Sequence, residues 1–165
     1  MAKAWTPPTY SKKKSTQTVN ARELFGRNLN EGEKEEFAQS LVDLIRTRTL
    51  SGVNIKGSDF KQYSKGYADR KGVSRSAVDM FLKGDMLEAI QSKIKGQNIT
   101  VEIDGGVDAL KSFNHNTGDT LPKRQFFGIQ RKEINEIVSV VKRTLSDPEK
   151  ELRDALRDVR LVQEE

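Results

Sequence analysis

The 165-residue chain has no cysteine, a single histidine, a single tryptophan and four prolines. Without cysteine there is no disulfide framework, and no thiolate to ligate a metal or attack a substrate. His115 is the only histidine, so arrangements that pair a nucleophile with a base are nearly excluded. A metal site there would need carboxylates at defined spacing; none is evident, and a histidine in a turn is the plainer reading. No phosphate-cradling glycine motif occurs, and Gly105-Gly106 reads as a turn. No apolar run approaches the ~18 residues of a membrane span, and the N-terminus carries no signal-peptide core. Together these absences predict a protein that is not an enzyme, needs no cofactor or metal, contacts no membrane, and is made in a reducing cytoplasm.

What is present is charge, unevenly spread. Charged residues make up 32% and apolar ones 35% of the chain, with a formal net charge of +5. The apolar residues are periodic, which argues for one folded domain rather than disorder. Residues 1–30 carry six Lys or Arg against Glu23, and residues 51–76 carry six against Asp59 and Asp69. From Asp147 onward four cations meet seven carboxylates. Such asymmetry suits contact with nucleic acid, or head-to-tail contact between copies of the chain.

The pattern divides the chain into an extended N-terminal arm (1–20), a core domain (21–146) holding a long loop (52–84), and a C-terminal amphipathic helix (147–165). The arm contains Pro7-Pro8, Lys12-Lys13-Lys14 and a Ser/Thr-rich stretch without apolar period. Trp5 and Tyr10 either anchor this arm in a neighbour's groove or belong to a disordered tail. A short helical piece is expected around Ala21–Phe25. Asn30 and Glu33 have capping-box spacing, and Phe37, Leu41, Leu44 and Ile45 share one helical stripe, predicting a helix over Glu31–Thr49. Arg46 and Arg48 suit its C-terminal dipole, and Gly52 can end it.

Within the loop, Val78, Met80 and Leu82 alternate as in a short strand. Leu87, Ile90 and Ile94 give a helical stripe from Asp85 to Lys95, and Ile99, Val101 and Ile103 mark the clearest strand. Asp104-Gly105-Gly106 is a turn signal, and Val107, Leu110 and Phe113 suggest a short helix. Ile134, Ile137, Val138, Val141 and Leu145 outline another helix. Asp147-Pro148 starts the last one, with Leu152, Ala155, Leu156, Val159 and Val162 on its apolar side. The fold class that results is α+β, a small antiparallel sheet packed against amphipathic helices.

Two segments carry the candidate interaction residues. Lys56–Arg75 interleaves cations with Phe60, Tyr63 and Tyr67, a pattern that either binds phosphates and stacks bases or packs a soluble loop onto the domain. His115–Ile129 sets a turn-rich loop, then Pro122, Lys123 and Arg124, against Phe126, Phe127 and Gly128. For this second segment, one reading sends one phenyl into the core and leaves the other at a surface, with Arg124 reaching outward. The other buries both rings.

Taken in order, several pieces resemble the virion-morphogenesis (tail-completion) proteins of tailed bacteriophages, the small neck proteins between head connector and tail tube. They are Gly52-Val53-Asn54-Ile55-Lys56-Gly57 with Phe60 and Tyr63-Ser64; Tyr67-Ala68 with Lys71-Gly72; and Val78-Asp79-Met80 running to Gly84-Asp85-Met86-Leu87. The last is His115 and Gly118 followed by Pro122-Lys123-Arg124-Gln125-Phe126-Phe127-Gly128-Ile129 and a helix. They span roughly residues 31–145, leaving the arm and the acidic C-terminal helix outside. The resemblance implies an α+β subunit of the virion neck, assembled in the host cytoplasm into a homo-oligomeric ring, a hexamer by analogy with tails. It would join head connector or adaptor proteins to tail tube or terminator proteins by binding. Its interfaces would draw on Trp5, Tyr10, Lys56, Phe60, Tyr63, Tyr67, Lys123, Arg124, Phe126 and Phe127. The alternative is a basic nucleic-acid-binding protein; weak contact with DNA in a channel would be common to both.

Overall fold

The computed structural model describes residues 3–78, 85–146 and 156, and these build an α+β fold. In chain order its elements are β1 (Thr9–Ser11), β2 (Lys14–Asn20), α1 (Ala21–Phe25), α2 (Glu31–Leu50), α3 (Lys65–Lys71), α4 (Asp85–Glu88), β3 (Gln91–Lys95), β4 (Asn98–Asp104), α5 (Gly106–Thr117) and α6 (Arg131–Ser146). The strands form one antiparallel sheet in the order β1-β2-β4-β3. β4 is central because its alternation buries Ile99, Val101 and Ile103 on one face. α2 and α5 cover that face, and α6 packs behind α1 and α2.

The helix signals translate directly. Asn30 accepts the Glu33 amide, and Glu33 returns a side-chain acceptor to the Asn30 amide, closing the capping box of α2. The same helix buries Phe37, Leu41 and Ile45 against Val19 and the β4 side chains. α6 likewise turns Ile134, Val138 and Val141 inward. In α5 the residues facing the core are Ala109, Ser112 and Asn116, whereas Val107 and Leu110 lie open to solvent.

Two expectations are corrected. The expected N-terminal arm (1–20) is, over its described residues 3–20, part of the domain: β1 and β2 lie within the sheet, and Trp5 bridges to Val19 ahead of them. β2 carries no apolar alternation because the residues it sends inward before Val19 are polar. Ser15 bonds the Ser112 hydroxyl at 2.7 Å, and Gln17 bonds backbone at Thr6 and Ile129. Nor is Asp85–Lys95 one helix. Arg46 donates to the carbonyls of Leu87, Glu88 and Ile90, ending α4 after one turn. The chain then pairs with β4 as β3 through the two-residue turn Gly96-Gln97. Met80 and Leu82 of the expected strand, and the helix expected from Asp147, lie outside the described residues apart from Leu156.

The other face of the sheet is polar. There Glu102, only 1% exposed, is clasped by Lys14 at 3.1 Å and Lys93 at 2.6 Å. Burial pushes its carboxyl up, but the hydrogen bonds from Lys93 and Lys14 outweigh this and hold it below the usual carboxylate range.

Candidate interaction site

Residues 124–129 are buried except for the half-buried Gln125, yet they form neither helix nor strand. A buried backbone without a ladder must find its hydrogen bonds elsewhere. Here side chains from four other parts of the chain supply them. Asn116 in the last turn of α5 accepts the amides of Phe126 and Phe127 through one oxygen, at 3.0 and 2.9 Å. Its own amide group is spent on Ser112, which fixes the orientation of that oxygen. Arg48 of α2 donates to the carbonyls of Phe126 and Gly128, both at 2.7 Å, while its other terminal nitrogen meets Glu133 of α6 at 2.6 Å. Gln17 of β2 takes both backbone groups of Ile129. The Trp5 indole N–H donates to the same carbonyl at 2.8 Å, and the Tyr10 hydroxyl donates to Phe127.

With both backbone groups of Phe126, Phe127 and Ile129 hydrogen-bonded, their side chains can be apolar and fully enclosed. Phe126 and Phe127 are both 0% exposed. The expectation that one ring faces a partner is therefore corrected: paired aromatics beside a chain of side-chain donors fill the subunit's own core. Gly128, at φ +129°, lets Pro8 and Ile55 approach to where a Cβ would meet both at 2.7 Å. Tyr10 stands edge-on to Phe127 at 6.4 Å, and Trp5 is half-buried, so both act as anchors within their own chain.

Arg124 is also turned inward, contrary to expectation. Gly118 ends α5 at φ +78° and the loop returns, so that the Arg124 amide bonds the His115 carbonyl at 2.7 Å. Its guanidinium donates to the carbonyls of Lys61 and Gln62, at 2.7 and 2.8 Å, and lies 5.2 Å from the centre of the Tyr63 ring. Two carbonyl acceptors beside an aromatic ring match the planar, multi-donor guanidinium of arginine and not the ammonium of lysine. Burial lowers the guanidinium from its ordinary range, and the Tyr63 and Tyr67 hydroxyls oppose that shift.

The long loop docks on this segment. The Ile55 amide bonds the Gln125 carbonyl at 2.9 Å, and Ile55, Phe60 and Tyr63 are buried. Asn54 caps the tip by accepting the amides of Lys56 and Ser58, leaving Lys56 exposed. Tyr67 is half-buried on α3, 4.7 Å from Tyr63, with Arg70 over its ring. No open ring of Phe60 or Tyr63 remains for a base to stack on, so the aromatics pack the loop. Lys56, Lys61, Lys65 and Lys123 stay at the surface around the junction.

His115 occupies the last turn of α5. Burial, then Arg124 and Lys111, lower its pKa to about 4, and its Nδ1 is buried with no hydrogen-bond partner among the described residues. The imidazole is thus neutral at pH 7. In the sequence Arg48 reads only as a cation at the end of its helix, and Asn116, Gln17 and Ser112 carry no motif. Their only signal is position: polar residues on the buried sides of a helix or strand. No family model, curated protein or solved structure matches the chain.

Proposed function

We propose that this protein is a structural subunit of a tailed-phage neck, forming an oligomeric ring that joins the head connector to the tail. The observation that carries this reading is the interlocking of the segments that resemble the tail-completion family. Gly52–Tyr63 and Pro122–Ile129 are separated by some 60 residues, yet they dock through Ile55 on Gln125 and Arg124 on Lys61 and Gln62. Each piece supplies hydrogen-bond partners to the other, so the two are needed together to build this part of the core. Lys56, Lys61, Lys65 and Lys123 are exposed around the junction, and the stretch from Asp147 onward carries seven carboxylates against four cations. Opposed charge on one chain suits the heterologous interfaces that close a ring.

The runner-up, a basic nucleic-acid-binding protein, keeps the exposed lysines and the half-buried Tyr67 but loses Phe60 and Tyr63 to the core. Sequence-blind contact with DNA is what those cations support, and its affinity would fall steeply with salt. The deciding experiment is to label purified particles with an antibody to this chain and to measure the mass of the isolated protein. Label at the neck and a mass several times 18.6 kDa support the proposal. Particles that lack the protein overturn it.

A further inference from the structure

The sheet has two edges, and they are not guarded alike. β1 at the first edge is three residues long, follows Pro7-Pro8, which lack backbone donors, and leads into Lys12-Lys13. β3 at the other edge runs five residues, Gln91–Lys95, with no proline. Each of the five faces one partner on β4, so there is no bulge to turn the edge away. The turn Gly96-Gln97 makes Lys95 and Asn98 the first hydrogen-bonded pair, and alternation then directs the backbone groups of Gln91, Lys93 and Lys95 to β4. The N–H and C=O groups of Ser92 and Ile94 point away from the sheet. Among the described residues nothing bonds them: Lys34 takes the Gly96 carbonyl and Arg46 the Ile90 carbonyl, one on either side of the gap.

The side chains of β3 define what fits there. Gln91, Lys93 and Lys95 are exposed on the polar face, while Ser92 and Ile94 are half-buried on the face that α2 covers. Lys93 leans across to Glu102 at 2.6 Å, toward β4 rather than over the edge, and among the described residues Lys95 is in no ion pair. These charges oppose a second copy, because two β3 strands paired antiparallel about Lys93 or Ile94 set lysine opposite lysine. The β1 edge of another copy is too short and too closely flanked by proline to match five residues. A strand with a carboxylate on each side of an apolar residue fits both faces at once. Its apolar side chain lies opposite Ile94, and its carboxylates lie opposite Lys93 and Lys95.

We infer that the β3 edge receives an extended segment of a different protein, with carboxylates at alternate positions flanking an apolar residue, as a fifth strand of the sheet. The outward groups of Ser92 and Ile94 supply the main-chain hydrogen bonds, and the two lysines select the sequence. This contact depends on the sheet alone and not on ring formation.

The probe is a synthetic peptide of about seven residues alternating glutamate and valine, with a lysine–valine peptide as control. At millimolar concentration with the full-length, isotope-labelled protein, the glutamate peptide is expected to shift the amide resonances of Ser92 and Ile94. It should also slow their exchange with solvent by about tenfold, and the control should leave both unchanged. Lys95→Glu should weaken the glutamate peptide by about fivefold and admit the lysine peptide. Ser92→Pro removes only an N–H that points away from β4, so the sheet keeps its pairing while the docking bond is lost. Unchanged far-ultraviolet circular dichroism verifies the fold of both variants. Equal responses to the two peptides, or none to either, overturn the inference. So does slow exchange of Ser92 and Ile94 in the protein alone: dependence on protein concentration would name a second copy as the occupant, and independence would name the chain itself.

Discussion

The side-chain oxygen of Asn116 accepts the backbone N–H of Phe126 at 3.0 Å, from inside a site where neither residue reaches solvent. That same oxygen takes Phe127. One carboxamide thus performs for two consecutive amides what a neighbouring strand does elsewhere, and it lets two phenyl rings enter the core side by side.

Replacing Asn116 by Ala would leave both amides buried and unpaired. At about 1–3 kcal/mol for each orphaned group, Asn116→Ala is expected to destabilise the protein by about 3 kcal/mol. The urea midpoint should fall while the slope of the transition stays unchanged. A loss under about 1 kcal/mol would show that water or a shifted backbone replaces the carboxamide.

Gly128→Ala combines an unfavourable φ with a Cβ placed 2.7 Å from atoms of Pro8 and Ile55. Strain and overpacking together are expected to cost about 2 kcal/mol or more. Gly57→Ala is the comparison: its φ is also positive, but a Cβ there meets nothing within 4 Å. Thermal melts should place Gly128→Ala well below Gly57→Ala; equal melting temperatures would remove the crowding argument.

Arg124→Lys retains the charge but not the forked donor pair. It should loosen residues 53–78 and cost about 2 kcal/mol. Limited proteolysis is the sensitive readout, with new cleavage expected near Lys61 and Lys65. Wild-type resistance in the variant would mean that Ile55, Phe60 and Tyr63 hold the loop without the guanidinium.

His115 gives a pH dependence of defined sign. Its pKa is lowered from 6.5 to about 4 in the folded chain, first by burial and then by Arg124 and Lys111. The folded state therefore binds the proton less well than the unfolded state, so this contribution is present above pH 6.5 and is lost as pH falls through about 4. Urea midpoints should drop over that window, and His115→Gln should flatten the drop. As the only histidine, its imidazole resonances can be titrated directly by NMR; a midpoint near 6.5 would contradict the buried, neutral ring.

Much of the fold is legible in the sequence wherever apolar residues mark the buried side. α2, α6 and β4 announce themselves through Phe37-Leu41-Ile45, Ile134-Val138-Val141 and Ile99-Val101-Ile103. β2 does not, since Ser15 and Gln17 point inward as partners for Ser112 and Ile129. β3 is hidden for another reason: Leu87, Ile90 and Ile94 fit a helical period, and only Arg46, 41 residues before Leu87, makes the helix stop. The aromatic segment was conspicuous, but its orientation was not. Whether Phe126, Phe127 and Arg124 face in or out depends on Asn116, Arg48 and the carbonyls of Lys61 and Gln62, and no local spacing encodes those meetings.

The side-chain bonds that hold residues 124–129 also set a schedule. Trp5 and Ile129 lie 124 positions apart, and Tyr10 and Phe127 lie 117 apart. Closure of such distant pairs is slow compared with helix formation. The N-terminal segment, although it belongs to the sheet, should wait in solution until α5 and α6 have gathered the groups it needs. The lone tryptophan makes this visible, because its indole N–H finds its acceptor only when that last docking is complete. A fluorescence phase later than the gain of helical signal in refolding would record the moment Trp5 meets Ile129 and the N-terminal segment joins the rest of the domain.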